Sequence, residues 1–309
     1  MTTDRPVLGI LLMLGFCILA PLGDSIAKLL GDSVSVGQLV TARFLVQLAI
    51  LAPIVWLTGR TFRLSRRATA LTMARTILHI LGIGMMFMAL RYLPLADAVA
   101  IAFVMPFIML ILGHFILGEE VGSKRIIACV VGFSGTLFVI QPSFAEVGWP
   151  ALLPLGVALD FALFMLITRK IAKDIDPVSL QAISGAMATA ILVPTLFLLS
   201  PINIPGFSVL LPSTTTLTLI VAMGLLGTIA HLLMTWSLRY APSATLAPMQ
   251  YLEIPVAALL GWLIFRDFPN GLALLGICIT IGSGLYILAR EQRLSRSKPQ
   301  QQQTNQPEV

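Results

Sequence analysis

The chain has 309 residues, of which 57% are hydrophobic and 11% charged, and a formal net charge of +6. A soluble domain carries about 25% charged and roughly 45–50% apolar residues, so this composition excludes an ordinary soluble globule and makes the lipid bilayer the solvent. The basic excess sits in short segments between apolar runs, which excludes nucleic acid as a partner and points to membrane orientation.

A helix crossing the ~30 Å hydrocarbon layer needs about 20 mostly apolar residues. The first candidate follows Asp4-Arg5, where Val7 to Leu19 imitates a signal peptide. No small-x-small site leads from it into a polar mature domain, so it reads as a span. Ten spans are expected in all, at 7–29, 35–57, 70–90, 95–117, 124–141, 149–168, 178–199, 215–238, 243–265 and 269–289. The runs are too long, and alternate too little, for barrel strands. The expected fold is all-α, a polytopic membrane protein of ten transmembrane helices. Residues 290–309 are polar and Gln-rich and read as a disordered cytoplasmic tail. Cys17, Cys129 and Cys278 lie in apolar stretches with neither metal-ligand spacing nor a disulfide framework. No metal and no cofactor are expected, and no feature specifies an oligomeric state.

With both termini cytoplasmic, most basic residues fall on the inner side: Arg5; Arg60, Arg63, Arg66 and Arg67, with Arg75 just inside the third span; Lys124 and Arg125; Arg169, Lys170 and Lys173; Arg239; and the tail. The loops at 142–148 and 200–214 carry no Lys or Arg. This is the positive-inside pattern expected of a bacterial inner membrane protein.

The stretch Met86-Phe87-Met88-Ala89-Leu90-Arg91-Tyr92-Leu93-Pro94 returns as Met234-Thr235-Trp236-Ser237-Leu238-Arg239-Tyr240-Ala241-Pro242, with Met, Leu, Arg, Tyr and Pro in register. Looser pairings join Pro106 to Pro255, Glu119 to Asp267, and Gly132 and Gly135 to Gly282 and Gly284; small residues there allow helices to approach closely. A duplication in an apolar chain is a signature of secondary transporters. Five spans per half is an odd number, so the halves enter the membrane in opposite directions. Two inverted five-helix repeats, 7–141 and 149–289, are therefore expected.

Ala89-Leu90-Arg91-Tyr92, Ala98 and Ala100, Pro106, Gly118-Glu119-Glu120 and Gly132-x-x-Gly135 resemble the EamA-type repeat of the drug/metabolite transporter superfamily. The second half is similar through Arg169-Lys170, Ser237-Leu238-Arg239-Tyr240, Ala244, Pro255, Gly261 and Gly282, although Arg266-Asp267 makes its counterpart of Glu119 imperfect. The resemblance implies a ten-helix carrier whose two halves surround a central cavity. Pro21-Leu22-Gly23-Asp24-Ser25-Ile26-Ala27-Lys28, Ala42-Arg43-Phe44 and Arg75-Thr76-Ile77-Leu78-His79 are also similar to bacterial carriers of riboflavin and of S-adenosylmethionine. Riboflavin uptake is the substrate reading this implies. S-adenosylmethionine, amino acids and amines are the alternatives.

An ionisable residue inside the membrane is a functional candidate by default. Asp24 and Lys28 share a helix face, and Arg43 lies at similar depth, so Asp24 either neutralises Arg43 or Lys28 structurally or helps form a polar substrate site. Glu253, beside Gln250, Tyr251 and Pro255, sits at mid-span where desolvation opposes its charge. It is a candidate proton carrier or substrate ligand, or else a carboxyl bonded to a neighbouring helix. Asp160 is mid-span with structural and functional readings open, and Asp97 near a span end reads as a cap or entrance. His79, His114 and His231 suit proton coupling or simple packing, with His79 and His231 the better placed. Trp236 and Tyr251 are deep enough to stack on a flat heterocycle, whereas Tyr92, Tyr240 and Trp262 read as interfacial belt residues.

A membrane-embedded enzyme is the reading from a different class, but H-E-x-x-H, G-x-S-x-G and the P-loop are all absent. The polar groups are too scattered for a channel lining. The expectation is a non-enzymatic secondary carrier of a small-molecule substrate, with proton coupling resting on Glu253, Asp160 and the histidines.

Overall fold

The structure, a computed structural model, describes residues 5–105, 107–108, 111–112, 123–172, 174–202, 204, 206–241, 246 and 249–303. Pro106, His114, Gly118, Glu119, Glu120, Lys173, Pro242 and Ala244 lie outside the described residues, as do the side chains of Lys124, Arg125 and Cys129. All regular structure among the described residues is helical. The first half holds α1 (Pro6–Leu30), α2 (Val36–Leu57), α3 (Arg66–Ala89), α4 (Leu95–Ala102) and α5 (Ser123–Val147). The second holds α6 (Leu153–Ala172), α7 (Pro177–Leu199), α8 (Thr214–Tyr240), α9 (Glu253–Leu260) and α10 (Gly271–Gln303).

Among the described residues, seven helical segments are long and apolar enough to cross a membrane: Val7–Leu30, Val36–Leu57, Arg66–Ala89, Val130–Val147, Trp149–Ala172, Pro177–Ile202 and Thr214–Tyr240. At 1.5 Å per residue, α1 with its 25 residues reaches about 37 Å, enough to cross with some tilt. Leu11, Ile77, Leu81, Leu137, Leu159, Phe197 and Leu263 point outward and are exposed. An apolar exterior of this kind is stable only in hydrocarbon. Tyr92 and Trp262 are also exposed near helix ends, as interfacial aromatics are.

Helix starts follow local capping chemistry. Ser35 Oγ accepts from the Gln38 amide, Ser65 Oγ from Ala68 and Ser213 Oγ from Thr216, which satisfies donors that a helix leaves unpaired at its first turn. Asp176 does the same for α7 by accepting from the Ser179 amide.

The helices pair across the two halves: α1 packs on α8, α3 on α6, α2 on α7, α5 on α10 and α4 on α9. The first four pairs run antiparallel. On α1, Gly9 lies beside Ser237 and Ala241, while Gly23 lies beside Leu226 and Gly227. Arg75 of α3 meets Thr168, whereas Met85 meets Gly156. Gln47 of α2 meets Gln181, and Arg60 beyond the end of α2 meets Asp176 at the start of α7. Gly132 and Gly135 of α5 meet Thr280 and Gly276 of α10. The small-residue packing expected of Gly282 belongs instead to Gly276, where a Cβ would collide with the Gly135 carbonyl; nothing lies within 4 Å of a Cβ at Gly282.

After α9 the chain makes a π-helical turn, Gly261–Phe265, and Arg266 takes a left-handed conformation with φ of 60°. That reversal lets the Asp267 amide bond the Gly261 carbonyl and brings the Asp267 carboxylate to 3.8 Å from Lys28 Nζ.

Asp176 and Arg60 join the ends of α7 and α2 through a contact of 2.8 Å. Burial works against the Asp176 charge, but the Ser179 amide and the Arg60 guanidinium outweigh it and hold the carboxyl below its ordinary value. A depressed folded value means that the stabilisation is present at neutral pH and is lost as pH falls through that value. Asp176→Asn keeps a cap acceptor and should cost no more than about 1 kcal/mol, the range of an exposed pair. Asp176→Ala also removes the cap and should cost about 0.5–2 kcal/mol. Melting of the detergent-solubilised protein checks both, and the gap between wild type and Asp176→Asn should close at acid pH.

Candidate functional site

Between the halves lies a cavity of about 140 Å³, far above the ~10–15 Å³ that one water needs. It is walled by α1, α2, α3, α4, α6, α8 and the segment entering α9. Its polar lining is Asp24, Arg43, His79, Asp160, His231, Gln250 and Glu253. Its aromatic lining is Phe16, Phe87, Phe103, Phe161 and Phe164. Seven of the nine residues expected from sequence therefore converge here.

Arg43, 3% exposed, is anchored by its protein partners. Its Nη1 donates to Gln47 Oε1 at 3.3 Å and its Nη2 to the Gly227 carbonyl at 3.2 Å. The approach depends on glycine, because a Cβ at Gly227 would sit 2.8 Å from Arg43 Nε. Gln47 Nε2 continues to the Gln181 carbonyl at 2.7 Å, and Gln181 Nε2 to the His231 carbonyl at 3.0 Å and to Thr235 Oγ1 at 3.1 Å. This chain of bonds ties α2, α7 and α8 together behind the cavity.

Asp24 forms no hydrogen bond or ion pair among the described residues, so its carboxylate faces the cavity. Lys28, one of its two expected partners, is engaged elsewhere. It donates to the Leu93 carbonyl at 2.6 Å, reaches Asp267 at 3.8 Å and lies over the Phe265 ring. Asp160 also lines the cavity, and Gly82 on α3 leaves room for it, since a Cβ there would collide with Oδ2. Glu253 opens α9 and its Oε1 has no partner. Gln250 is 1% exposed, and among the described residues neither end of its amide is bonded. Asp97 is not in the cavity; it accepts from Ser143 Oγ at 3.1 Å near the start of α4.

His79 of α3 and His231 of α8 meet Nε2 to Nε2 at 3.4 Å. A neutral imidazole has one donor and one acceptor nitrogen, so one ring donates and the other accepts. Both Nδ1 atoms lack a partner. Phe16 and Phe164 stand edge-on to His231, and Phe44 edge-on to His79. The contact joins α3 of the first half to α8 of the second.

Two expected stacking residues lie elsewhere. Trp236 packs with Leu51, Val55, Val178, Ala182 and Leu232, and Tyr251 is buried against Phe103. Phenylalanines take the cavity wall instead, with Phe16 stacked on Phe161 and Phe161 on Phe164. Asp160, Phe161 and Phe164 share one stretch of α6, and their i, i+3/i+4 spacing was the available sequence signal. Arg75 was read from sequence as an orienting charge and as part of the Arg75–His79 string in the carrier resemblance. In the fold it is fully buried, donating to Thr168 Oγ1 at 2.8 Å and Ser184 Oγ at 2.9 Å and lying 4.4 Å from the Phe164 ring centre. It braces that ring from behind.

The sequence pattern of the EamA-like transporter family matches residues 7–141 and again 148–289. A riboflavin transporter of Rhizobium johnstonii is 32% identical over 229 residues, 72% of each chain. An S-adenosylmethionine uptake transporter of Rickettsia prowazekii is 24% identical over 92% of this chain and 94% of its own length. A solved structure titled "Crystal structure of protein" superposes with a TM-score of 0.63 at 16% identity, covering 94% of this chain and 98% of that one; it shares the fold.

The Gly227–Arg43 contact makes a direct test of the site's packing. Gly227→Ala should drive the guanidinium off the α8 carbonyl or push α2 and α8 apart, costing about 1–3 kcal/mol as other overpacked cores do. The readout is a lowered melting temperature, with Gly84→Ala, where nothing lies within 4 Å of an added Cβ, as the neutral control.

Proposed function

The chain belongs to the EamA-like transporter family, and from that premise we propose that it is a secondary carrier, working by alternating access, whose substrate is riboflavin taken up into the cell. Its family and its named relatives mark a transporter of small metabolites rather than an enzyme.

The observation that carries the substrate reading is the cavity wall. Five phenyl rings surround a small set of polar groups, the lining expected where a flat heterocycle is held by stacking and oriented by a few hydrogen bonds. The riboflavin transporter at 32% identity supports the same reading. A second reading has its own support: three carboxylates, Asp24, Asp160 and Glu253, face the cavity against one guanidinium, Arg43, and this balance suits a cationic metabolite such as S-adenosylmethionine, or an amine.

The proposed architecture is ten spans in two inverted halves, with both termini cytoplasmic in a bacterial inner membrane. Helix pairing supports it. Exchanging the halves turns the α1–α8 pair into α6–α3 and returns α2–α7, α4–α9 and α5–α10 to themselves, and these are the pairs found. Because α2 and α7, like α5 and α10, run antiparallel, the exchange axis lies across the helices, in the membrane plane. Such halves rock about a central site to open it to either side.

The sequence carries no ATPase motif, so transport runs on a gradient or by exchange. The His79–His231 contact supports a proton as the coupling ion. With one shared proton the rings hold α3 and α8 together; a second proton makes both nitrogens donors and breaks the bond.

Two outcomes are expected. Cells unable to synthesise riboflavin should show saturable uptake of the labelled vitamin only when they carry this protein; no uptake removes riboflavin as the substrate. Collapsing the proton gradient should abolish uptake, and Glu253→Gln should slow it roughly ten- to a hundredfold at unchanged protein level, the loss of one charge-assisted hydrogen bond worth roughly 1.5–3 kcal/mol. Uptake indifferent to the gradient ends the coupling assignment.

A further inference from the structure

The buried side-chain amides behind and along the cavity divide into two kinds. Gln47 and Gln181 are spent on other helices. Gln250, equally buried at 1% exposure, has no partner for either Nε2 or Oε1 among the described residues and lines the cavity. A buried amide with both ends unpaired is costly, and more so where no bulk water reaches it. It is retained where a ligand supplies the missing partners.

The chemistry of that ligand follows from the amide. A carboxamide presents a donor and an acceptor side by side in one plane. Its complement is a planar edge with an acceptor next to a donor: a lactam or imide, O=C–N–H, or an amino group beside a ring nitrogen. The same pairing lets Gln read the edge of adenine. A flat ring seated among Phe16, Phe103 and Phe161 would hold such an edge in plane with the amide. One turn further on, Glu253 offers the unpartnered Oε1 to a second donor on the same ring or its substituent.

We infer that Gln250 is the specificity-determining residue of the carrier, reading an adjacent donor–acceptor edge on a flat heterocyclic substrate. The inference rests on the carrier reading above and narrows its substrate class. Both a flavin and an adenine carry such an edge, and the test separates them.

The experiment uses the full-length protein in detergent and two ligand pairs: lumiflavin against 3-methyllumiflavin, and adenosine against N6,N6-dimethyladenosine. In each pair methylation removes the ring-edge donor. Binding is read by flavin fluorescence quenching and by ligand-induced shifts in melting temperature. For at least one pair the methylated ligand should bind about tenfold more weakly, the discrimination expected of one bidentate pairing. Gln250→Met, equal in length but without the amide, should bind both members of that pair equally. Should Gln250→Met fail to fold, Gln250→Leu, likewise without the amide, carries the test. It lacks the amide donor and should weaken the unmethylated ligand about tenfold, narrowing the preference.

Equal binding of methylated and unmethylated ligands in both pairs overturns the inference. So does binding of neither ring system, or a variant that keeps the wild-type preference. A methyl-sensitive adenosine pair without riboflavin uptake removes the vitamin as substrate and leaves the role of Gln250 standing. Riboflavin uptake without methyl discrimination does the reverse.

Discussion

Hydrocarbon offers no hydrogen-bond partner, and the whole interior is arranged around that fact. A polar group inside the bundle must be satisfied by another helix or be directed into a space that a ligand or water fills. Arg75 donates to Thr168 and Ser184, Arg43 to Gln47 and the Gly227 carbonyl, and Gln47 and Gln181 pass the chain on to α8. These bonds lock α2, α3, α6, α7 and α8 into one frame. The polar atoms left over at Asp24, Gln250 and Glu253 face the central cavity.

Glycine makes the frame possible. Lipid gives no hydrophobic drive for helices to associate, so close backbone contact and short cross-helix bonds must supply it. Gly227 admits the Arg43 guanidinium, Gly82 admits the Asp160 carboxylate, and Gly135 and Gly276 let α5 and α10 touch at backbone distance. The most extensive helix contacts join one half of the chain to the other. The proposed rocking of the halves would therefore act on contacts such as His79–His231, which consists of a single bond, sooner than on the multiply bonded Gln47–Gln181 layer.

Much of this was legible in the residues. The apolar runs located the long helices because roughly 20 residues of hydrocarbon-compatible sequence have few other uses. Glu253, Asp24, Arg43 and Asp160 stood out because charge is costly at that depth, and all four line the cavity. Trp236 and Tyr251 stood out as large aromatics, but depth along a helix says nothing about which side faces the cavity, and both pack elsewhere. Phe16, Phe87, Phe103, Phe161 and Phe164 were hidden for the opposite reason, since a phenylalanine in an apolar span is indistinguishable from one that faces lipid.

Sequence alone determined the class of this protein: a bilayer-embedded chain of two related halves, with a few ionisable groups set at depths where charge is costly. Composition, span length and duplication are local or additive properties, so they survive reading in one dimension. Only the tertiary structure decided which polar groups the protein completes. Lys28 turns to Asp267 rather than to Asp24, two histidines far apart in sequence meet at 3.4 Å, and Gln250 stays unpaired where Gln47 and Gln181 do not. Each of these outcomes depends on the rotation and depth of two or more helices at once, and a hydrogen bond forms or fails over less than an ångström, a precision that no single span contains.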